Sequence, residues 1–143
     1  MLARRDDLVA ALAASRVVVV EGAAGTGKTT GVPVLCLGAV SGGKRVCCTE
    51  PRRCAAVAAA RRVAADLGVE VGSAVGYSVR FEDCRGADTR LVYMTDGALL
   101  REIASDATAS AYGVIVVDDA QERTVGTDVL LGVLKGLLAT RAD

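Results

Sequence analysis

The stretch VVVVEGAAGTGKTT at residues 17–30 decides the fold predicted for this chain. Val17 to Val20 form an apolar, β-branched run with the length of one buried strand. The segment GAAGTGKT at 22–29 follows directly and matches GxxxxGK[ST], a loop whose backbone N–H groups can surround phosphates. Thr29 and Thr30 then open a helix whose positive N-terminal end would face the same phosphates.

Each residue type in this loop has a physical reason to be there. The glycines reach backbone angles that other residues avoid, Lys28 would extend to the β- and γ-phosphates, and the Thr29 hydroxyl would ligate Mg²⁺. The sequence therefore predicts binding of ATP or another NTP with Mg²⁺; the alternative is a glycine-rich turn that binds nothing. The predicted nucleotide-binding residues of the loop are Gly22, Gly25, Thr26, Gly27, Lys28, Thr29 and Thr30.

Composition limits the classes of partner. The 143 residues are enough for one domain with a real core. Because 17 basic and 17 acidic residues cancel, no global positive field attracts nucleic acid, and any polyanion site must be local. One Phe, three Tyr and no Trp argue against a platform that stacks several bases on aromatic rings.

The cysteines indicate a compartment rather than a metal centre. The chain has five of them, without C-x-x-C spacing, and it has no His. Free thiols are typical of reducing surroundings, so we expect a nuclear or cytoplasmic protein. The sequence does not open with a signal-peptide pattern and no apolar run reaches membrane length, so a membrane partner is not expected.

Apolar periodicity predicts alternating strands and helices. Helices are predicted over 2–14, 28–40, 51–67, 96–104 and 127–140, and strands over 17–20, 45–49, 75–81, 90–94 and 114–117. Pro33 is expected to shorten or kink the second helix, and Gly68 to stop the third. The strand runs are too continuous to have a wet face, which predicts an α/β fold with a mostly parallel sheet covered by helices on both faces.

A phosphate loop needs an acidic partner for Mg²⁺ at the carboxyl end of a neighbouring strand. The segment VIVVDD at 114–119 supplies one. Asp118 would hold the metal through water, and Asp119 would orient or deprotonate the attacking water. The alternative is that these carboxylates only begin a turn or cap a helix.

Five segments together resemble a known family. In chain order they are GAAGTGKTT at 22–30, TEPRRCAA at 49–56, VGYSVRFED at 75–83, TDGALLRE at 95–102 and DDAQERT at 118–124. They resemble successive motifs of the first RecA-like domain of DEAH-box RNA helicases, over almost the whole chain from residue 17 onward. The resemblance implies a P-loop NTPase fold of RecA-like type.

The resemblance also implies roles for single residues. Gly25, Gly27, Lys28 and Thr29 match the family's phosphate loop, and Asp118 its metal-binding acid. Arg62 falls where the family places an arginine that stacks on the adenine, a role that suits a planar guanidinium.

Three further positions match motifs that contact RNA. Arg52, Arg53 and Thr95 would contact the RNA backbone, which gives affinity without reading sequence. Alternatively, the arginines are solvated helix residues or pair with Glu50 and Asp66.

The sequence departs from the family in its namesake motif. Most members read Asp-Glu-Ala-His, whereas this chain reads Asp118-Asp119-Ala120-Gln121 and is nearest to a small DEAQ subgroup. Asp119 is one methylene shorter than Glu, and Gln121 has no titratable proton. The implied catalytic residues are therefore Lys28, Asp118, Asp119 and Gln121, with hydrolysis and its coupling to RNA in question.

The resemblance implies that residues 1–143 form an N-terminal RecA-like domain that is truncated before its last strand. In the family a further strand ending in Ser-Ala-Thr and a second RecA-like domain follow, so we expect a longer protein whose second domain completes the site. The isolated domain should bind nucleotide but scarcely turn it over. Two alternatives remain: a catalytically impaired pseudo-helicase that acts as an RNA- or protein-binding scaffold, and a P-loop kinase acting on a small molecule.

Overall fold

The computed structural model describes residues 5–141, in which helices and strands alternate along the chain. The strands are β1 Arg45–Glu50, β2 Val75–Val79, β3 Glu82–Cys84, β4 Leu91–Thr95 and β5 Tyr112–Val117. The helices are α1 Arg5–Ala14, α2 Lys28–Cys36, α3 Arg53–Leu67, α4 Asp96–Ser105 and α5 Val125–Thr140, with 3-10 turns at Leu37–Ala39 and Ala120–Glu122. The predicted start of the first helix at residue 2 lies outside the described residues.

The five strands form one sheet in the order β3-β2-β4-β1-β5. All neighbours are parallel except the β2–β3 hairpin. In the middle of the sheet, Cys48 of β1 lies opposite Tyr93 of β4 on one side and Val116 of β5 on the other. Because these strands are parallel, their carboxyl ends share one edge of the sheet, where ligand sites of α/β folds form.

Helices cover both faces of the sheet, as predicted. On one face, Cys48 and Tyr93 pack with α1, α2 and α3. On the other face, Cys47 and Val92 pack with α4 and α5. Successive residues of the central strands therefore point into two different cores, which explains why these strands read as unbroken apolar runs. Within residues 5–141, no helix is long and apolar enough to span a bilayer.

The helix after β1, α3, ends where the sequence predicts, at Gly68. Gly68 adopts a left-handed conformation with φ of 68°, and its N–H bonds to carbonyls of the last turn of α3. The helix begins at Arg53 rather than Pro51, and Arg52 before it is still extended.

The strand predicted over Val17–Val20 is wrong. In the structure this segment belongs to no strand of the sheet described for residues 5–141. Val17 and Val19 are 61% and 81% exposed, whereas Val18 packs against the core. The physical reason is that a β-branched run becomes a strand only beside a strand edge with free hydrogen-bonding groups. No strand of the sheet described for residues 5–141 pairs with this segment.

Candidate nucleotide-binding site

The phosphate loop leads directly into α2, and its glycines have two different functions. Gly25 and Gly27 have φ of 76° and 80°, a left-handed conformation that residues with a Cβ rarely adopt. Gly22 has no such angle; a Cβ there would lie 3.2 Å from the Thr26 Oγ1. The loop therefore needs glycine at 25 and 27 for backbone geometry and at 22 for space.

Side chains of the loop hold its turn together. The Lys28 Nζ donates hydrogen bonds to the carbonyls of Gly22 at 2.6 Å and Ala23 at 2.9 Å. The Thr26 Oγ1 donates to the same Ala23 carbonyl at 2.8 Å. The ammonium is thus folded over the loop at the N-terminal end of α2, where an anion would also gain from the helix dipole.

A tyrosine of the sheet supplies the hydrogen-bond donor that Pro33 removes from α2. Proline has no N–H, so Pro33 leaves the carbonyl of Thr29, four residues earlier, without its helical donor. The Tyr93 hydroxyl, fully buried on β4, donates to this carbonyl at 2.8 Å. The first turn of α2, which contains Thr29, is therefore bonded directly to the centre of the sheet.

Two carboxylates meet at the carboxyl edge, beside this turn. The Asp118 N–H donates to the carbonyl of Thr49 at 3.0 Å, which extends the β1–β5 pairing past the end of β5. Ligand atoms of Cys48, Glu50 and Asp118 all lie within 4.8 Å of one another. Side chains alternate along a strand, so Glu50 and Asp118 face the same side as Cys48, the side that α2 covers.

Burial and neighbouring carboxylates disfavour the ionised form of Glu50 in this cluster. The pKa of Glu50 is raised to about 8, first by burial and then by the charges of Asp118 and Asp119 and a side-chain hydrogen bond with Asp118. Burial also raises the pKa of the Cys48 thiol well above its ordinary value, so the thiol stays neutral. Within residues 5–141, Glu50 Oε1 and Asp118 Oδ2 are buried and lack a hydrogen-bond partner.

The DDAQ turn after β5 is held by bonds within itself. Asp119 has φ of 48°, a left-handed conformation that Asp tolerates better than most residues. Its N–H donates to Asp118 Oδ1 at 2.9 Å, and its own Oδ1 accepts from the Gln121 Nε2 at 2.9 Å. Asp118 therefore uses one oxygen to form a turn, as the alternative interpretation predicts, and directs the other into the cluster.

The three arginines singled out in the sequence are exposed and form ion pairs. Arg62 pairs with Asp66 one turn along α3 at 2.9 Å, as the solvated-helix alternative predicts. The suggested pairing of arginines with Glu50 is wrong for the two that precede or begin α3. Arg52 donates to both oxygens of Glu122 at 2.9 Å, and Arg53 lies 3.8 Å from Glu82.

Thr95 ends β4 opposite Glu50 and precedes α4. Its neighbour Asp96 is buried and accepts a hydrogen bond from the Thr127 Oγ1 at 2.7 Å, which links this edge to α5. Sequence reasoning assigned no role to Tyr93 or Asp96, and it considered Glu50 only as a possible ion-pair partner of the arginines. The sequence held a signal for Tyr93, because a proline inside a helix leaves one carbonyl that needs a donor from elsewhere. It also held a signal for Glu50, because Glu50 directly follows the predicted strand 45–49, as Asp118 directly follows the predicted strand 114–117.

An α/β sheet with a glycine loop at a helix start and an acid at the neighbouring strand end defines a P-loop NTPase-like domain. Comparison with protein families agrees, because the model described as an AAA domain matches residues 6–139. The chain belongs to this family, and it is a nucleotide-binding P-loop domain. The expected α/β P-loop fold is thereby confirmed.

We expect Tyr93→Phe to weaken nucleotide binding through the backbone of Thr29. Loss of the hydroxyl leaves a buried carbonyl without a donor, which costs about 1–3 kcal/mol of stability. Because that carbonyl belongs to the first turn of α2, affinity for a fluorescent ATP analogue should fall as well.

Tyr112→Phe is the matched control, because the Tyr112 hydroxyl is also buried and donates to Glu102, on the face that α4 and α5 cover. Both variants should melt at a lower temperature, and only Tyr93→Phe should bind nucleotide more weakly. Equal affinities for the two variants would show that the Tyr93 bond does not position the loop.

Proposed function

We propose that this chain is the nucleotide-binding motor domain of an ATP-dependent RNA helicase-like protein of DEAH or DEAQ type, which hydrolyses NTP when bound to RNA. The observation that carries the proposal is that the phosphate-loop helix and Asp118 lie on one face of the sheet at its carboxyl edge. The Tyr93 hydroxyl bonds to Thr29, and Tyr93 packs in the same core as Cys48 and Val116, which precede Glu50 and Asp118 by two residues.

In this proposal the loop amides and Lys28 bind the phosphates, while Thr29 and Asp118 hold Mg²⁺. The unpaired Asp118 Oδ2 fits a cation, since a buried carboxylate oxygen without a donor is costly. Mg²⁺ would neutralise charge that develops on the transferring phosphoryl group. Asp119 would accept the proton of the attacking water, and Gln121 holds that carboxylate in place through its amide.

Contacts with RNA belong to the same proposal and are supported by exposure and charge. The side chains of Arg52 and Arg53 are 68% and 54% exposed. Exposed ion pairs contribute little, about 0.2–1 kcal/mol, so RNA phosphates can replace Glu122 and Glu82 as partners. Arg62 bonds to Asp66 through its Nε, which leaves the guanidinium faces for an adenine.

The proposal also includes a further strand of the sheet and a second RecA-like domain in a longer protein. Among residues 5–141, β5 pairs only with β1, so its other edge has no partner strand. Val17 and Val19 are largely exposed. A strand beside β5 would supply both the missing pair for this edge and a hydrogen-bonding edge for the segment before the phosphate loop.

Lys28→Ala should lower affinity for a fluorescent ATP analogue by about 10–100-fold, because a hydrogen bond to a charged group contributes roughly 1.5–3 kcal/mol. Lys135→Ala removes the same charge from an exposed position on α5 and should bind as the wild type does. If Lys28→Ala and Lys135→Ala bind nucleotide equally, the assignment of the phosphate loop is wrong.

Replacing Arg52 and Arg53 by Gln should weaken binding of single-stranded RNA uniformly across sequences. Each lost phosphate contact should reduce the slope of log affinity against log salt by about one unit or slightly less. Fluorescence anisotropy at several salt concentrations measures both effects. Arg101→Gln, at an exposed position on α4, is the control. If it weakens RNA binding as much as the double variant does, the RNA assignment is wrong.

One observation favours the scaffold alternative: the Asp119 carboxylate already bonds to Gln121 within its own turn. The motor proposal expects RNA-stimulated ATPase in the full-length native protein, with less than tenfold gain in Asp119→Glu/Gln121→His. The scaffold alternative expects negligible native activity and a gain approaching the about 10²–10⁴-fold that a general base supplies. Steady-state ATPase rates with saturating RNA separate the two.

A further inference from the structure

Glu50 is an ionisable side chain that is buried at the carboxyl edge of the sheet, where the candidate site lies. It is 2% exposed, and within residues 5–141 its Oε1 has no hydrogen-bond partner. No Lys or Arg in this part of the chain is found in an ion pair with it. A buried carboxylate in such surroundings requires a compensating charge or proton.

The group that Glu50 faces is a second carboxyl group. Its carboxylate lies within 4.8 Å of a carboxylate oxygen of Asp118, whose Oδ2 is also buried without a partner. Octahedral Mg²⁺ binds oxygens at about 2.0–2.1 Å, which puts neighbouring ligand oxygens roughly 3 Å apart and opposite ones roughly 4 Å apart. A separation below 4.8 Å is therefore compatible with both carboxylates binding one small divalent cation.

We propose that Glu50 is a second carboxylate of the magnesium site, so that the cation binds between Glu50 and Asp118. This inference rests on the proposed nucleotide site and adds a ligand to it. With two carboxylates facing each other, the domain binds the divalent cation before nucleotide arrives. Metal binding can therefore be measured without nucleotide.

The third member of the cluster selects the class of metal. Cys48 offers a soft sulfur ligand, but thiolate rather than thiol binds metals and Mg²⁺ takes oxygen. The Cys48 thiol is fully buried in the core of the sheet. The cation is accordingly a hard one, Mg²⁺ or its paramagnetic substitute Mn²⁺, rather than Zn²⁺ or Cd²⁺.

The experiment titrates Mn²⁺ into the protein without nucleotide and measures free Mn²⁺ by its electron paramagnetic resonance signal. Glu50→Gln and Asp118→Asn should each lower Mn²⁺ affinity at least tenfold. Glu70→Gln, which removes an exposed carboxylate beyond α3, should leave it unchanged. Mn²⁺ binding by Glu50→Gln equal to that of the wild type overturns the proposal.

Thermal unfolding gives a second readout that also reports folding. Without metal, Glu50→Gln should melt no lower than the wild type, because Gln keeps the size of the side chain and its neutral amide cannot repel the Asp118 carboxylate. Added Mn²⁺ should raise the melting temperature of the wild type and scarcely move that of Glu50→Gln. A wild type whose melting temperature does not respond to Mn²⁺ overturns the proposal even if Glu50→Gln fails to fold.

Two further measurements test the metal proposal separately from the nucleotide-site proposal. Lys28→Ala should lose nucleotide affinity and retain Mn²⁺ binding, so a failed nucleotide assignment and a failed metal assignment give different results. Tighter binding of Cd²⁺ than of Mn²⁺, abolished by Cys48→Ser, would show a soft-metal site and overturn the proposal.

Discussion

The site depends on the parallel pairing of β1 with its two neighbours. The register that puts Cys48 between Tyr93 and Val116 also puts Glu50 beside Asp118 at the carboxyl edge. Because side chains alternate, a slip of one residue would move either carboxylate to the opposite face of the sheet. Both faces are buried by helices, so such a slip would also exchange the contents of two cores, and the register is strongly fixed.

The phosphate loop is attached to this frame by a side chain. No strand among residues 5–141 pairs with the segment before the loop, yet α2 is fixed by the bond from the Tyr93 hydroxyl to the Thr29 carbonyl. Pro33 makes that bond possible because it frees the carbonyl from its helical donor. Pro33 thus removes one hydrogen bond from the helix and makes room for the contact that fixes Thr29, the predicted magnesium ligand, to the sheet.

Much of this arrangement could be predicted from local sequence. Gly25 and Gly27 follow from backbone geometry, and the strand ending at Val117 follows from an apolar run with an acid behind it. The segment Val17–Val20 could not be predicted in the same way, since strand formation depends on an available edge as well as on β-branched side chains. Glu50 was considered only as an alternative partner of nearby arginines, because charge pattern along the chain does not show which strands lie side by side.

The buried pair of carboxylates bears on whether the domain binds a metal or serves only as a scaffold. Two facing carboxylates, one of them 2% exposed, destabilise a fold unless a proton or a cation compensates them. A scaffold gains nothing from this arrangement, because binding RNA or protein at exposed arginines does not involve buried Glu50. A nucleotide-binding domain gains a site of high negative potential beside its phosphate loop, where a divalent cation is required. The proposals of a metal-dependent domain and of a scaffold therefore differ in what they expect at this buried pair: the first expects a divalent cation there, and the second expects only a proton.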